Sequence, residues 1–156
     1  VLQAGRAFET SVRVAYADTD QMGIVYHANA LVWFERGRTE AMRELGLPYA
    51  ALEARGVLLP VVEAGARFLR PARYDDLLAV ETVVAGLGRV RLRFRYRVRR
   101  DDSPGSPVLI EGFTEHAFID RGGRLVRLPD DVRALIEPVV APDGSTARRR
   151  PAARWR

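Results

Sequence analysis

Apolar residues fall into two rhythms along this chain. Between Ala30 and Leu45 they recur at helical spacing, at Ala30, Leu31, Phe34, Gly37, Ala41 and Leu45. Trp33 and Met42 widen the stripe, which predicts a helix enclosed on more than one side. Its start falls near His27 to Asn29, and Gly46 followed by Pro48 marks its end. A glycine inside a helix costs about 1 kcal/mol relative to alanine. Gly37, with Ala41 one turn later, therefore predicts another backbone passing close by. Pro48 and Gly56 bracket a shorter helix, Tyr49–Arg55.

The second rhythm alternates. Thr10–Tyr16 sets Thr10, Val12, Val14 and Tyr16 against Ser11, Arg13 and Ala15, as a half-buried strand does. After Gly56 the alternation returns and stays. Leu58–Leu69 reads as a long strand, bent or bulged near Pro60 and Gly65. Leu77–Ala85 follows, with Leu78, Val80, Thr82 and Val84 inward, and Gly86-Leu87-Gly88 reads as a hairpin turn. Val90–Arg99 is the clearest strand. It carries Val90, Leu92, Phe94, Tyr96 and Val98 on one face and arginine at every position of the other. Val108–Asp120 is a further strand beyond a Pro/Gly/Ser loop, and Pro129–Ile136 a closing helix. The order is strand, long helix, short helix, then four strands joined mainly by hairpins. This is an α+β chain with one antiparallel sheet and one principal helix. One sheet face should take the helix, and the other should be wet or covered by another copy.

Composition changes this picture at the C-terminus. From Pro138 onward periodicity disappears and Pro, Ala and Arg dominate, which predicts a disordered tail. Residues 1–140 form the expected domain and Ala141–Arg156 the Arg-rich tail. The tail holds five Arg and one Asp, so it supplies +4 of the net charge of +5 and leaves the body near neutral. The high pI is then a poor argument for nucleic acid. All 25 basic residues are arginine and there is no cysteine, which excludes disulfides, thiolate metal sites and a Cys nucleophile. No apolar run reaches the ~20 residues of a membrane span, and the N-terminus has no signal-peptide pattern. A cytoplasmic protein is the expectation.

Candidate chemistry concentrates before the helix, in Asp18, Asp20 and His27, with Tyr16 on one side and Glu35 on the other. The free backbone N–H groups of the first helical turn point back toward this loop and suit an anion or a carbonyl gaining negative charge. An aspartate in such a turn is most often a cap, a reading that suits Asp18 better than Asp20. On pattern alone His27 caps or packs, His116 is structural, Glu35 pairs with Arg36 or Arg38, and Tyr16 belongs to the core. There is no nucleophile elbow, phosphate-cradling loop or metal-ligand spacing. The arginine row of Val90–Arg99 faces glutamates on other strands, at Glu63, Glu81, Glu111 and Glu115, so cross-strand ion pairs are expected rather than a nucleic-acid surface.

The segment YADTDQMGIVYHANALVWFERGRTEAM resembles the signature of the hotdog-fold acyl-CoA thioesterases, in the branch of 4-hydroxybenzoyl-CoA thioesterase and the Tol-Pal-associated thioesterases. The likeness continues through LPVVEAGARFLRPARYDDLLAVET. It implies one long central helix wrapped by a five- or six-stranded antiparallel sheet. It implies a homodimer with joined sheets, often paired into a homotetramer, and active sites at the subunit interface. Carried over by position, the essential carboxylate falls on Asp20. The backbone N–H that polarises the thioester carbonyl falls on His27, whose side chain supports catalysis in some members, and a tyrosine falls on Tyr16. Phosphate contacts to coenzyme A fall near Arg89 and Arg91. Ala30, where relatives often carry a bulky aromatic, and Arg91, where many have a small polar residue, depart from the pattern. The implied activity is hydrolysis of an acyl-CoA thioester to coenzyme A and a carboxylic acid. It needs no metal or redox cofactor, because coenzyme A is part of the substrate. The alternative is a non-catalytic acyl-CoA-binding or partner-binding module on the same fold.

Overall fold

The computed structural model describes residues 3–101 and 105–142. The expected tail from residue 143 onward lies outside the described residues. Strands β1 (Ala7–Arg13), β2 (Val61–Phe68), β3 (Leu77–Leu87), β4 (Arg91–Arg100) and β5 (Val108–Ala117) form one antiparallel sheet in the order β1-β3-β4-β5-β2. Helices α1 (Asn29–Glu44), α2 (Tyr49–Ala54) and α3 (Asp130–Ile136) complete the fold. At 16 residues α1 is of moderate length rather than a clearly long central helix. It ends where Gly46 turns at φ +77°.

The core forms where α1 meets the inner face of β1, β3, β4 and β5. Leu78, Val80, Thr82 and Val84 of β3 are buried, as alternation predicts, and so are Leu92, Phe94, Tyr96 and Val98 of β4. Gly37 makes room for side chains of β3 rather than for another backbone: a Cβ at this position would stand 2.5 Å from the Thr82 hydroxyl and 2.9 Å from a Val80 methyl. Gly112 does the same for Phe34, whose ring lies on β5 and stacks on Tyr96 at 4.4 Å.

The outer face is charged. Arg91 and Arg93 reach Glu115, Arg97 and Arg99 reach Glu81, and Arg67 reaches Glu111 at 3.1 Å. Arg93 also covers the Phe113 ring at 4.1 Å. The arginine row thus makes cross-strand pairs with Glu81 and Glu115 as expected, Glu111 is taken by Arg67 of β2 instead, and Glu63 and Arg95 take no ion pair among the described residues.

Several boundaries differ from the sequence reading. The first strand begins at Ala7 and ends at Arg13, because Tyr16–Asp18 winds into a 3₁₀ turn. β3 runs on to Leu87 through a bulge between Val84 and Gly86, so the turn falls at Gly88–Val90. The second strand is shorter than expected, starting at Val61, and it lies beside β5 at the far edge of the sheet instead of forming a hairpin with β3. Residues 138–141, the start of the expected tail, are ordered against the domain. Glu137–Val139 forms a 3₁₀ turn, Val139 is fully buried, and the Ala141 N–H donates to the Val84 carbonyl at 2.8 Å. Composition misleads there because Val139 has apolar partners that lie far away in sequence.

A candidate acyl-binding groove at the start of α1

The loop before α1 is a small hairpin held by its own backbone. Thr19 and Val25 form an isolated bridge, Asp20 N–H donates to Ile24 O at 2.9 Å, and Gly23, at φ +75°, donates to Asp20 O. Asp18 caps the preceding turn, its carboxylate accepting the Ala15 N–H at 2.8 Å. The Asp18 carbonyl takes two donors, Tyr26 N–H and the Asn29 amide, each at 2.8 Å. That second bond ties the first turn of α1 to the loop. Asp20 is half-buried, and its Oδ1 accepts the Met22 N–H at 2.8 Å. Both aspartates therefore cap turns, but only Asp20 also lines a groove.

That groove encloses about 340 Å³. Its polar side chains are Asp20, His27 and Arg70, and its walls include Met22, Ile24, Phe68, Leu69 and Ile110. The His27 ring meets Phe68 edge-on at 6.3 Å. Within the turn that starts α1, the N–H groups of Tyr26, Asn29, Ala30 and Leu31 are bonded to carbonyls. Those of His27 and Ala28 take no partner among the described residues. Two unused donors thus stand at the positive end of a helix, and His27, which carries one of them, lines the mostly apolar groove together with Asp20.

The other expected site residues are not gathered here. Tyr16 is 79% exposed and packs edge-on against Tyr74 at 5.6 Å, outside the groove. Arg91 pairs with Glu115 on the outer face of the sheet, opposite Ala117. The groove instead borders Ile110, toward the opposite end of β5. Arg89 is exposed in the adjoining turn. Within one chain these arginines and Asp20 lie at opposite ends of the sheet. Arg70, which sequence reasoning passed over, is in the groove. Its adjacency to the strand that carries Phe68 was the signal available.

A second polar cluster lies inside the core. His116 Nδ1 is 3.0 Å from the Leu59 carbonyl, His116 Nε2 is 2.9 Å from Thr114 Oγ1, and Thr114 Oγ1 is 2.6 Å from the Tyr96 hydroxyl. A carbonyl only accepts, so Nδ1 carries the proton, Nε2 accepts from Thr114, and Thr114 accepts from Tyr96. Burial, with the Arg38 charge assisting against the Leu59 bond, pushes the His116 pKa down to about 4. Burial pushes the Tyr96 hydroxyl up to about 12. His116 is structural, as its place in the strand predicts. Glu35 approaches Arg38 at 3.9 Å, but it is exposed rather than buried.

Residues 14–136 match the thioesterase-like superfamily. The chain belongs to that family. It is 36% identical over 129 residues to the acyl-CoA thioesterase YbgC of Haemophilus influenzae, covering 81% of this chain and 92% of that one. It is 36% identical over 110 residues to the putative acyl-CoA thioesterase YneP of Bacillus subtilis, covering 70% and 78%. A hypothetical protein from Thermus thermophilus superposes with a TM-score of 0.76 at 42% identity, over 83% of this chain and 96% of that one. A variant of 4-hydroxybenzoyl-CoA thioesterase crystallised with 4-hydroxybenzoyl-CoA superposes with a TM-score of 0.75 at 26% identity, over 84% and 99%. The five-stranded antiparallel sheet with its helices is thus the hotdog fold of these thioesterases. No helix among the described residues is long and apolar enough to cross a membrane.

Proposed function

We propose that this chain hydrolyses acyl-CoA thioesters, in the branch of 4-hydroxybenzoyl-CoA and Tol-Pal-associated thioesterases. The observation that supports the reading best is the groove lined by both Asp20 and His27, whose backbone N–H, like that of its neighbour Ala28, takes no partner among the described residues. The thioester carbonyl oxygen points at those donors and gains negative charge there as the carbon is attacked. Asp20 either attacks the carbon itself, giving a mixed anhydride that water then opens, or takes a proton from the attacking water. In both routes the C–S bond breaks and the coenzyme A sulfur leaves as thiolate, to be protonated. His27 flanks the reacting carbon. Tyr16 is exposed and does not line its own chain's groove, so it is assigned to the rim. The scheme uses no metal or redox group.

The groove is near the small end of ligand sites, which run from about 300 to 1,000 Å³, so it accommodates an acyl group rather than a whole acyl-CoA. The rest of the substrate needs more surface than one chain gives. A homodimer that joins sheets through β2 supplies it, because antiparallel pairing carries the Arg89–Arg91 end of one copy toward the Asp20 end of the other. Pairing of dimers into a tetramer and a cytoplasmic location belong to the same reading.

A thiol-release assay over aliphatic and aromatic acyl-CoAs tests it. Turnover that Asp20→Asn abolishes is expected; binding without turnover by the native chain would favour the non-catalytic module. Single turnover in ¹⁸O-water tests the nucleophilic route: a product free of ¹⁸O with the label in Asp20 shows a mixed anhydride opened at the Asp20 carbonyl.

A further inference from the structure

A second, smaller cleft, of about 260 Å³, opens between the later turns of α1, α2 and the chain entering β2. Arg38 of α1 and Tyr49 of α2 line it, with Val57 and Leu59 as apolar wall and the exposed Glu35 and Glu53 beside them. Arg38 is only 9% exposed, so its charge has left bulk water. Its guanidinium carries five N–H donors, and none of them makes a hydrogen bond among the described residues. The carboxylate it pairs with, on Glu35, stays 3.9 Å away. Burying a charge is costly unless it is both paired and hydrogen-bonded. Tyr49 repeats the pattern, because its hydroxyl oxygen is buried and has no partner among the described residues. Burial pushes that hydroxyl above its ordinary pKa, with the Arg38 charge the largest opposing influence, so the phenol stays neutral and keeps a proton to donate. Arg38 also faces Tyr96, but that hydroxyl is already committed to Thr114. Buried polar groups are nearly always paired. A cation and a phenol left over in one cleft ask for an acceptor from outside the chain.

We propose that this cleft binds a short monocarboxylate, with its oxygens on the Arg38 guanidinium and the Tyr49 hydroxyl and its apolar tail on Val57 and Leu59. A planar guanidinium matches both oxygens of a carboxylate at once. Glu35 gives up only a 3.9 Å contact when a ligand takes Arg38. The cleft lies below the roughly 300 Å³ at which sites for drug-sized ligands begin, which keeps the tail to a few carbons. Glu35 and Glu53 repel a second negative charge, so a monoanion is favoured over a phosphate or a dicarboxylate. Within one chain the site is separate from the acyl groove, since Leu59 precedes β2 and Phe68 ends it. The acid released by the hydrolysis proposed above belongs to this ligand class. Binding here needs no turnover, however, so a chain that hydrolyses nothing still tests it.

Calorimetric titration of the full chain with sodium butyrate at pH 7 and constant ionic strength tests this. Saturable binding is expected, and none for butyramide, which has the same shape without the charge. Inorganic phosphate should not compete. Tyr49→Phe should weaken butyrate roughly tenfold, the scale of a lost hydrogen bond to a charged group. Its melting temperature should stay native, because the hydroxyl has no bond to lose. Arg38→Lys keeps the charge but not the fork and should weaken butyrate at least as much. Should Arg38→Lys fail to fold, Tyr49→Phe still decides. Arg70→Ala, in the acyl groove, should bind butyrate as the native chain does. No saturable binding, or native affinity in Tyr49→Phe, overturns the site. Loss of binding in Arg70→Ala overturns its location and moves the carboxylate to the groove. Equal binding of butyramide or phosphate overturns the ligand class.

Discussion

The sheet has two edges, and they are built to opposite rules. β1 buries Phe8 and Val12 against the core and exposes Glu9, Ser11 and Arg13. Those side chains have local partners, Arg99 for Glu9 and the Asp75 carbonyl for Arg13, the latter at 2.7 Å. β2 buries nothing, and its exposed ends are apolar. Free strand edges invite pairing, and proteins blunt those they do not use with charge. β1 is blunted and β2 is not, and the groove containing Asp20 adjoins the unblunted one. The catalytic carboxylate proposed here is therefore placed by local turn chemistry, while the walls around it are left to an edge that is unfinished in one chain.

The largest expected effect separates chemistry from edge. Asp20→Asn keeps an oxygen for the Met22 N–H but can neither attack nor take a proton, so kcat should fall by roughly 100-fold or more. Melting temperature and sedimentation should stay native, and Asp18→Asn should be milder in rate. Damage to assembly instead would make Asp20 a structural cap. Next comes the edge itself. Val61→Lys places a charge on β2 and should reduce the particle to a monomer, with activity down at least tenfold; Ser11→Lys on β1 should alter neither. Equal effects of the two lysines would erase the contrast.

The third effect depends on pH, because His116 holds Leu59 just before β2, a tether with no counterpart at β1. Its folded pKa of about 4 lies below the ordinary value of 6.5. Above pH 6.5 neither state binds the proton. Between 6.5 and 4 the unfolded chain takes up a proton that the folded chain refuses, so stability drops as pH falls, by up to roughly 3 kcal/mol. Urea midpoints across that window should show this slope, and His116→Gln should flatten it while keeping a donor for Leu59 and an acceptor for Thr114. The smallest effect is expected at β1, where Glu9→Gln should change stability by less than about 0.5 kcal/mol by urea unfolding and leave the rate alone.

What the sequence reveals follows from how local the cause is. Gly37 announces the close approach of α1 to β3, and the alternation of β4 announces both its buried and its charged face. The cap at Asp18 is equally readable, since its partner is three residues away. The placement of β2 beside β5 is not readable, because it depends on a crossover and on register with residues some fifty positions on. For the same reason Tyr16 looks like core by alternation, and only the 3₁₀ turn and Tyr74 show that it faces outward. The aspartate pair is the instructive case. Both positions satisfy turn chemistry, and resemblance singles out Asp20, but the groove beside it exists only once Phe68 and Ile110 arrive from distant strands.

The hydrogen bonds from Tyr96 through Thr114 and His116 end on the Leu59 carbonyl, an atom that only accepts, so each hydrogen in the series has one allowed position. Every dipole points the same way, out of the middle of the sheet and toward the entry to β2. Such a series strengthens cooperatively and cannot be reversed without leaving an unpaired group at each end. Removing the Tyr96 hydroxyl on β4 is therefore expected to weaken the bond at the far end of the series, where Leu59 leads into the edge strand. The entry to the sheet's outermost strand is thus tied by hydrogen bonds to the centre of its core.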